Sequence, residues 1–233
     1  MEKKNEIVTT ENNAFAVSAN LSASLSEEMQ GLNLTFDRIK VPSGGGLAFE
    51  VPSDNPDNPD LAKEIKAVIL YHNPVQAYYK EKFTGGNEAP DCSSFDGIAG
   101  IEKDTGEVKA CRECELNKFG SGENGGKACK TKRRIFLLLE NSAIPVIFSL
   151  PTTSLNDFSK YILRLVGKNK KSFQVVTKFT LKKEQNAGGI TFSKVVVATE
   201  RDLTENELKS IMPMTEQVKT IARNMKSVEI GDE

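Results

Sequence analysis

All four cysteines of this 233-residue chain, Cys92, Cys111, Cys114 and Cys129, fall within residues 91–134, at the spacing C-x18-C-x2-C-x14-C. The stretch is rich in glycine, lysine and arginine. It closes on Lys127-Ala128-Cys129-Lys130-Thr131-Lys132-Arg133-Arg134, which runs directly into Ile135-Phe136-Leu137-Leu138-Leu139. A segment this polar buries too little apolar surface to offset the entropy of ordering it. A metal clasp supplies what burial does not. Zinc takes about four ligands in a tetrahedron, and a C-x2-C pair offers two thiolates from one tight turn. Cys111 and Cys114 are that pair, and Cys92 and Cys129 close the site from the two ends, so one structural Zn2+ on Cys92, Cys111, Cys114 and Cys129 is expected. The competing readings are reduced, unligated thiols and a redox-active C-x2-C. Four thiolates leave no position for a reactive water, which argues against hydrolytic zinc chemistry.

With 38% hydrophobic and 27% charged residues the composition is that of an ordinary globular protein. The net charge of −1 conceals segregation, because basic residues cluster over 127–183 while the two ends lean acidic. No run reaches the roughly 18 apolar residues of a spanning helix, and Met1-Glu2-Lys3-Lys4-Asn5-Glu6 has no apolar signal core, so a cytoplasmic location without membrane contact is expected. Reducing conditions favour a metal over a disulfide for these cysteines.

Residues 1–30 read as a mobile or loosely packed arm. Leu32, Leu34, Phe36, Ile39 and Val41, then Leu47 to Val51 across Gly44-Gly45-Gly46, predict an N-terminal hairpin. The turn formers Pro52-Ser53-Asp54-Asn55-Pro56 mark a loop, and Ile65 to Tyr71 a strand that Asn73-Pro74 ends. After the cysteines come two apolar runs separated by Glu140-Asn141-Ser142-Ala143. A helix follows, opened by Ser154 and Asp157 as a capping-box-like pair and running to Gly167 with Leu155, Phe158, Tyr161, Ile162 and Leu165 inward. Residues 172–181 and 190–197 predict a second hairpin. Thr204-Glu205-Asn206-Glu207 is a capping box for a terminal helix interrupted by Pro213. Strand, long insertion, strand, strand, helix, strand, strand is the order of an OB-like barrel with its insertion between the first two strands. The fold expected is therefore mostly β with two to three helices. Residues 31–200 would form an OB-like barrel with the added hairpin and a zinc-binding insertion at about 85–133, and 201–233 a C-terminal helix with a short acidic tail.

The first loop of an OB barrel is one that holds oligonucleotides, and single strands are held by cations along the backbone and rings under the bases. Lys127, Lys130, Lys132, Arg133 and Arg134 are the candidate cations, and Tyr71, Tyr78, Tyr79, Phe83 and Phe119 the candidate rings, with Phe95 also flanking the insertion. Phe136, Phe148, Phe158 and Phe173 read as core. The later basic residues, Lys160, Arg164, Lys168, Lys170, Lys171, Lys178, Lys182 and Lys183, are read equally well as solvated faces of their elements. His72, the single histidine, reads as structural, and no P-loop, GxSxG or HExxH is present.

Several segments carry a resemblance: Tyr71-His72-Asn73-Pro74, Phe83-Thr84-Gly85-Gly86, Pro90-Asp91-Cys92-Ser93-Ser94, Cys111-Arg112-Glu113-Cys114, Asn117-Lys118-Phe119-Gly120-Ser121-Gly122, Gly126-Lys127-Ala128-Cys129-Lys130 and Leu150-Pro151-Thr152-Thr153-Ser154-Leu155. Over about residues 65–197 the chain resembles proteins of phages and integrated elements of Gram-positive bacteria. It is more loosely similar to phage helix-destabilising proteins, whose OB-fold carries a zinc subdomain and whose acidic tail recruits replication partners. This ligand set is all cysteine where the T4-type protein includes a histidine, and the acidic end is short. The zinc spacing beside a basic cluster within an OB-like order predicts a non-enzymatic single-stranded-DNA-binding protein, and the resemblance implies the context, phage or mobile-element replication or recombination, with replication or recombination proteins as further partners. The alternatives are a zinc-stabilised module that binds a replication protein and no DNA, and an enzyme such as a nuclease or thiol oxidoreductase.

Overall fold

The computed structural model describes Phe15 and residues 27–32, 35–55, 57–81, 89–186 and 188–225. The expectations for most of residues 1–30, for Phe83 and for the acidic tail at 229–233 lie outside them. In chain order the strands are β1 (Arg38–Ile39), β2 (Phe49–Val51), β3 (Asp60–Ala62), β4 (Glu64–Tyr78), β5 (Cys92–Ser94), β6 (Ala99–Glu102), β7 (Val108–Ala110), β8 (Lys130–Leu139) and β9 (Val146–Leu150). Helix α1 (Leu155–Gly167), strands β10 (Val175–Gln185) and β11 (Thr191–Asp202) and helix α2 (Glu205–Asn224) complete the chain. The protein is mostly β with two helices on one large mixed sheet.

Strand β4 organises that sheet. One edge pairs with β8 along residues 67–77, with a bulge between Ile69 and Tyr71. The other edge is shared, by β10 against residues 64–68 and by β5 against residues 76–78. The Asn73-Pro74 pair was expected to end the strand, and instead β4 runs through it. Pro74 sits in the interval between the two partners on the shared edge, where a missing N–H breaks no ladder bond.

The outer strands do not close the barrel expected from the element order. The sheet runs β1-β9-β8-β4-β5-β6-β7 with β10 and β11 branching from β4, and among the described residues no pairing joins β9 to β11. The N-terminal hairpin is also different from expectation. β1 pairs in parallel with β9 and β2 antiparallel with β3, and among the described residues the β-pairing between the two segments is the single bridge of Lys40 and Glu50.

Both faces of the central strands are covered, which is why β8 reads as a continuous apolar run. Ile135 and Leu137 face a cluster completed by Phe158, Tyr161 and Leu165 of α1, with the Tyr161 hydroxyl 2.8 Å from Thr177 Oγ1. Phe136 and Leu138 face a second cluster with Ile211, Met214, Val218 and Ala222 of α2, and Phe15 from the N-terminal segment. Pro213 was expected to interrupt α2, but the helix continues, because its apolar stripe on both sides of the proline is held against the sheet. Ser154 does not cap α1 through its side chain. Its hydroxyl accepts the Val195 amide at 2.9 Å, tying the helix start to β11. At the other end Asn169, with φ of 55°, supplies the left-handed residue, and the Lys170 amide returns to the Leu165 carbonyl at 2.9 Å.

The α2 capping box forms as expected. Glu207 is buried, accepts the Thr204 amide at 2.9 Å and takes both terminal nitrogens of Arg201 at 2.8 Å. Arg201 and then the Thr204 bonds hold its carboxyl below the usual carboxylate range. A lowered folded pKa means that this stabilisation is present above the ordinary glutamate value and lost as pH falls through the lowered one. Glu207→Gln should lose about 2 kcal/mol in urea unfolding at neutral pH. The gap from wild type should narrow as the pH is taken down from the ordinary glutamate value and through the lowered one, where the wild-type carboxylate also takes up its proton.

Candidate thiol cluster and nucleic-acid interface

The insertion is not the coreless polar loop that its composition suggests. β5 pairs with β4 and β6 with both β5 and β7, so the sheet itself extends into residues 92–110. Cys92 opens β5 opposite Tyr78 and Glu102. Cys111 follows β7, its amide bonded to the Ile98 carbonyl at 2.8 Å, and Cys114 precedes a single 3-10 turn, Glu115–Asn117. Cys129 donates its amide to Leu116 at 2.8 Å and leads into β8. Asn117 knits these pieces together, donating to the Cys111 carbonyl at 2.8 Å and accepting from Lys127 Nζ at 3.1 Å.

This arrangement brings all four thiols to one cavity of about 20 Å³, which they line together with Gln76, Ser94 and Gly100. That volume is of the order of one water or ion and excludes a substrate. Gly100 is needed there, because a Cβ would stand 3.1 Å from Cys92 Sγ and 3.4 Å from Cys111 Sγ. The donor set, four thiols with no carboxylate in the lining among the described residues, fits a borderline cation such as zinc. Even so, among the described residues no three His, Cys, Asp or Glu side chains stand in metal-holding geometry, so the sulfurs share a cavity without converging on one centre. Burial, and then the neighbouring thiols, push the Cys129 thiol up to about 12, with Lys127 opposing only in part; burial also raises Cys92 and Cys111.

The basic cluster divides. Arg134 is fully buried, its guanidinium 5.4 Å from the Phe95 ring centroid and 4.0 Å from Met225 Sδ, out of reach of a ligand. Arg133 turns to the opposite face and donates Nε–H to His72 Nδ1 at 2.9 Å. Lys127 and Lys130 stay with the insertion, Lys127 Nζ lying 5.1 Å from the Phe119 ring centroid and Lys130 Nζ donating to the Lys127 carbonyl at 2.6 Å. Lys132 lines a separate cavity with Arg38 and Lys40 of the β1 segment.

The rings divide as well. Phe119 is 83% exposed, whereas Tyr71 packs against Phe136 with centroids 6.3 Å apart, Tyr78 lines the thiol cavity and Tyr79 is half-buried. Of the later lysines, Lys178 pairs with Glu200, which Lys66 of β4 also reaches, Lys170 pairs with Asp202, and Lys182 and Lys194 pair with Glu184. Arg38 and Lys40 escaped the sequence reading. Their alternation with Ile39 and Val41 was visible, but the parallel pairing of β1 with β9 that sets them beside Lys132 was not.

No protein-family model matches the chain, and neither a curated protein nor a solved structure does. The functional reading therefore rests on these side chains.

His72 is structural, packed edge-on to Phe158 at 5.2 Å and accepting from Arg133. Burial first, and then the Arg133 charge, lower its pKa from 6.5 to about 4. Because the folded value is the lower one, the unfolded chain takes up the proton first. Stability contributed by the neutral ring is complete above pH 6.5 and lost as pH falls from there towards 4. With one histidine in the chain, its ring carbon-bound protons should titrate in NMR with a midpoint near 4. A midpoint at 6 or above would mean that the ring is not held buried between Phe158 and Arg133 in solution.

Proposed function

We propose that this is a non-enzymatic single-stranded-DNA-binding protein, serving phage or mobile-element replication or recombination. Its insertion, ordered by a structural zinc on Cys92, Cys111, Cys114 and Cys129, presents the contact surface. The observation that carries the reading is Phe119, an aromatic ring left 83% exposed on the turn between Cys114 and Cys129 with a lysine over it and Lys130 close by. Burying an exposed phenylalanine is favourable, so leaving one out on a turn forgoes stability that a stacked base recovers at roughly 1–3 kcal/mol. The central sheet, with its insertion between the first two long strands, supports the OB-like reading as an open variant of that barrel. The four-thiol cavity supports the zinc.

Anisotropy of a labelled oligo-dT across a salt series tests it. Binding should weaken steeply with salt, and Phe119→Ala should lower affinity roughly tenfold. Absence of binding at low salt removes the reading. Purified protein should carry about one zinc per chain, and chelation should lower both the melting temperature and the affinity. Protein that is metal-free as purified and indifferent to chelator would remove the zinc while leaving the DNA question to the titration.

One observation favours a second reading, a module docking on a replication protein. Ile101 and Val108 pair across β6 and β7 and are 42% and 65% exposed. If this surface is the functional one, Ile101→Lys with Val108→Lys should abolish capture of a protein partner from nuclease-treated extract and leave oligonucleotide binding unchanged. A double variant that still captures the partner rejects this second reading.

A further inference from the structure

We infer that Asn117 is a positioning residue that ties the ring and lysines of the contact surface to the occupancy of the thiol site, so that metal binding and nucleic-acid binding are coupled. The inference rests on the zinc and nucleic-acid readings above and adds to them how one controls the other.

Strand pairing fixes only part of the insertion. β5, β6 and β7 carry the sheet from Cys92 to Ala110, and β8 resumes it at Lys130. The described residues between them, 111–129, hold two single 3-10 turns, Glu115–Asn117 and Glu123–Gly125, and no strand. Cys111, Cys114 and Cys129 clasp this stretch, and Phe119 lies on it. Sulfurs that share a cavity without converging have to draw together to hold one cation, and Cys92 is fixed in β5 between β4 and β6. The adjustment therefore falls on the strandless side.

Asn117 stands where that adjustment passes outward. Its backbone amide donates to the Cys114 carbonyl at 3.0 Å and its side-chain Nδ2 to the Cys111 carbonyl at 2.8 Å, so it holds both halves of the C-x2-C turn. Its Oδ1 accepts from Lys127 Nζ at 3.1 Å, and the same ammonium lies 5.1 Å from the Phe119 ring centroid. Lys130 follows, donating Nζ to the Lys127 carbonyl at 2.6 Å. From the other side Cys129 donates its amide at 2.8 Å to the carbonyl of Leu116, the neighbour of Asn117. One side-chain amide thus joins the carbonyl of a candidate ligand to the cation over the exposed ring. It can do so because it offers a donor to the carbonyl and an acceptor to the ammonium at once, which neither a carboxylate nor an ammonium does. The coupling is reciprocal: what the metal adds to oligonucleotide affinity, the oligonucleotide adds to metal affinity.

The test measures oligo-dT affinity of the full chain with zinc bound and after chelation. Wild type should bind roughly tenfold more tightly with zinc, and oligo-dT should raise zinc affinity by the same factor in competition with a chelator. Asn117→Ala, folded by circular dichroism and carrying about one zinc per chain, should lose both effects. Lys127→Met, which leaves the bonds to Cys111 and Cys114 in place, should lose them as well, and it decides alone if Asn117→Ala fails to fold or to hold zinc. A zinc-loaded variant that keeps the wild-type factors, or a wild type whose two affinities are independent, overturns the relay. Wild type without zinc removes the zinc reading and the relay with it. If wild type holds zinc and does not bind the oligonucleotide, the DNA reading fails separately, and zinc titrated into metal-free, 15N-labelled protein decides the relay. Shifts at the Phe119 and Lys127 amides that Asn117→Ala abolishes, while those at the cysteine amides remain, would keep it. The same shifts in both proteins, or none at Phe119 in wild type, would overturn it.

Discussion

The shared edge of β4 is the constraint on which the rest depends. A strand of 15 residues is long enough to take two partners in series on one side while β8 holds the other throughout. The hairpin β10 and β11 occupies the first stretch and the cysteine-bearing β5 the last. Because both are pinned to the same strand, the insertion is not a tethered loop but a continuation of the core sheet. Its cysteines inherit their positions from β4 and β8, at residues 78 and 130. A metal would then lock an arrangement that pairing has already set, with less of the fold to build than in a domain that has no structure of its own.

Alternation along the strands separates the chemistry that this extension carries. On one face Gln76, Tyr78, Cys92 and Gly100 surround the thiols; on the other, Lys130 and Lys132 continue the row of Phe136 and Leu138. A one-residue slip would exchange the two faces, placing lysines against the thiol cavity and a cysteine in the cation row. The apolar half of β8 makes that slip costly, because Ile135, Leu137, Phe136 and Leu138 are buried against two different helices. The register of the functional half is therefore enforced by the buried half.

Legibility followed the range of the interactions. The β8–β9 and β10–β11 hairpins, α1 and the capping box of α2 were visible because their signals, turn residues between apolar runs and helical spacing, are local. What failed depended on distant partners. Pro74 stops a strand only where an N–H is needed, and the unpaired interval of β4 was not visible in its own sequence. Pro213 ends a helix only when packing cannot hold both halves. The N-terminal hairpin was inferred from a glycine turn between two β-like runs, whose true partners, β9 and β3, compete successfully. For the candidate site the four cysteines were legible as a set, since only their spacing was needed. The division of residues 127–134 into Arg134 inside, Arg133 against His72 and lysines outward was not, because adjacent residues on a strand differ only in the face that the core assigns them.

The same dependence on neighbours decides which lysines matter. A net charge of −1 would seem to rule out an anion-binding surface. Charge acts only over about 8 Å at physiological salt, so the sum over the chain is less informative than where the acids stand. They stand along β10 and β11 and just beyond: Glu184 against Lys182 and Lys194, Glu200 against Lys66 and Lys178, and Asp202 against Lys170. Each such exposed pair contributes little stability, but together they cancel the field of the lysine-rich half. A net charge near zero is thus compatible with segregation along the sequence, because the lysines of the hairpin are matched pair by pair across it.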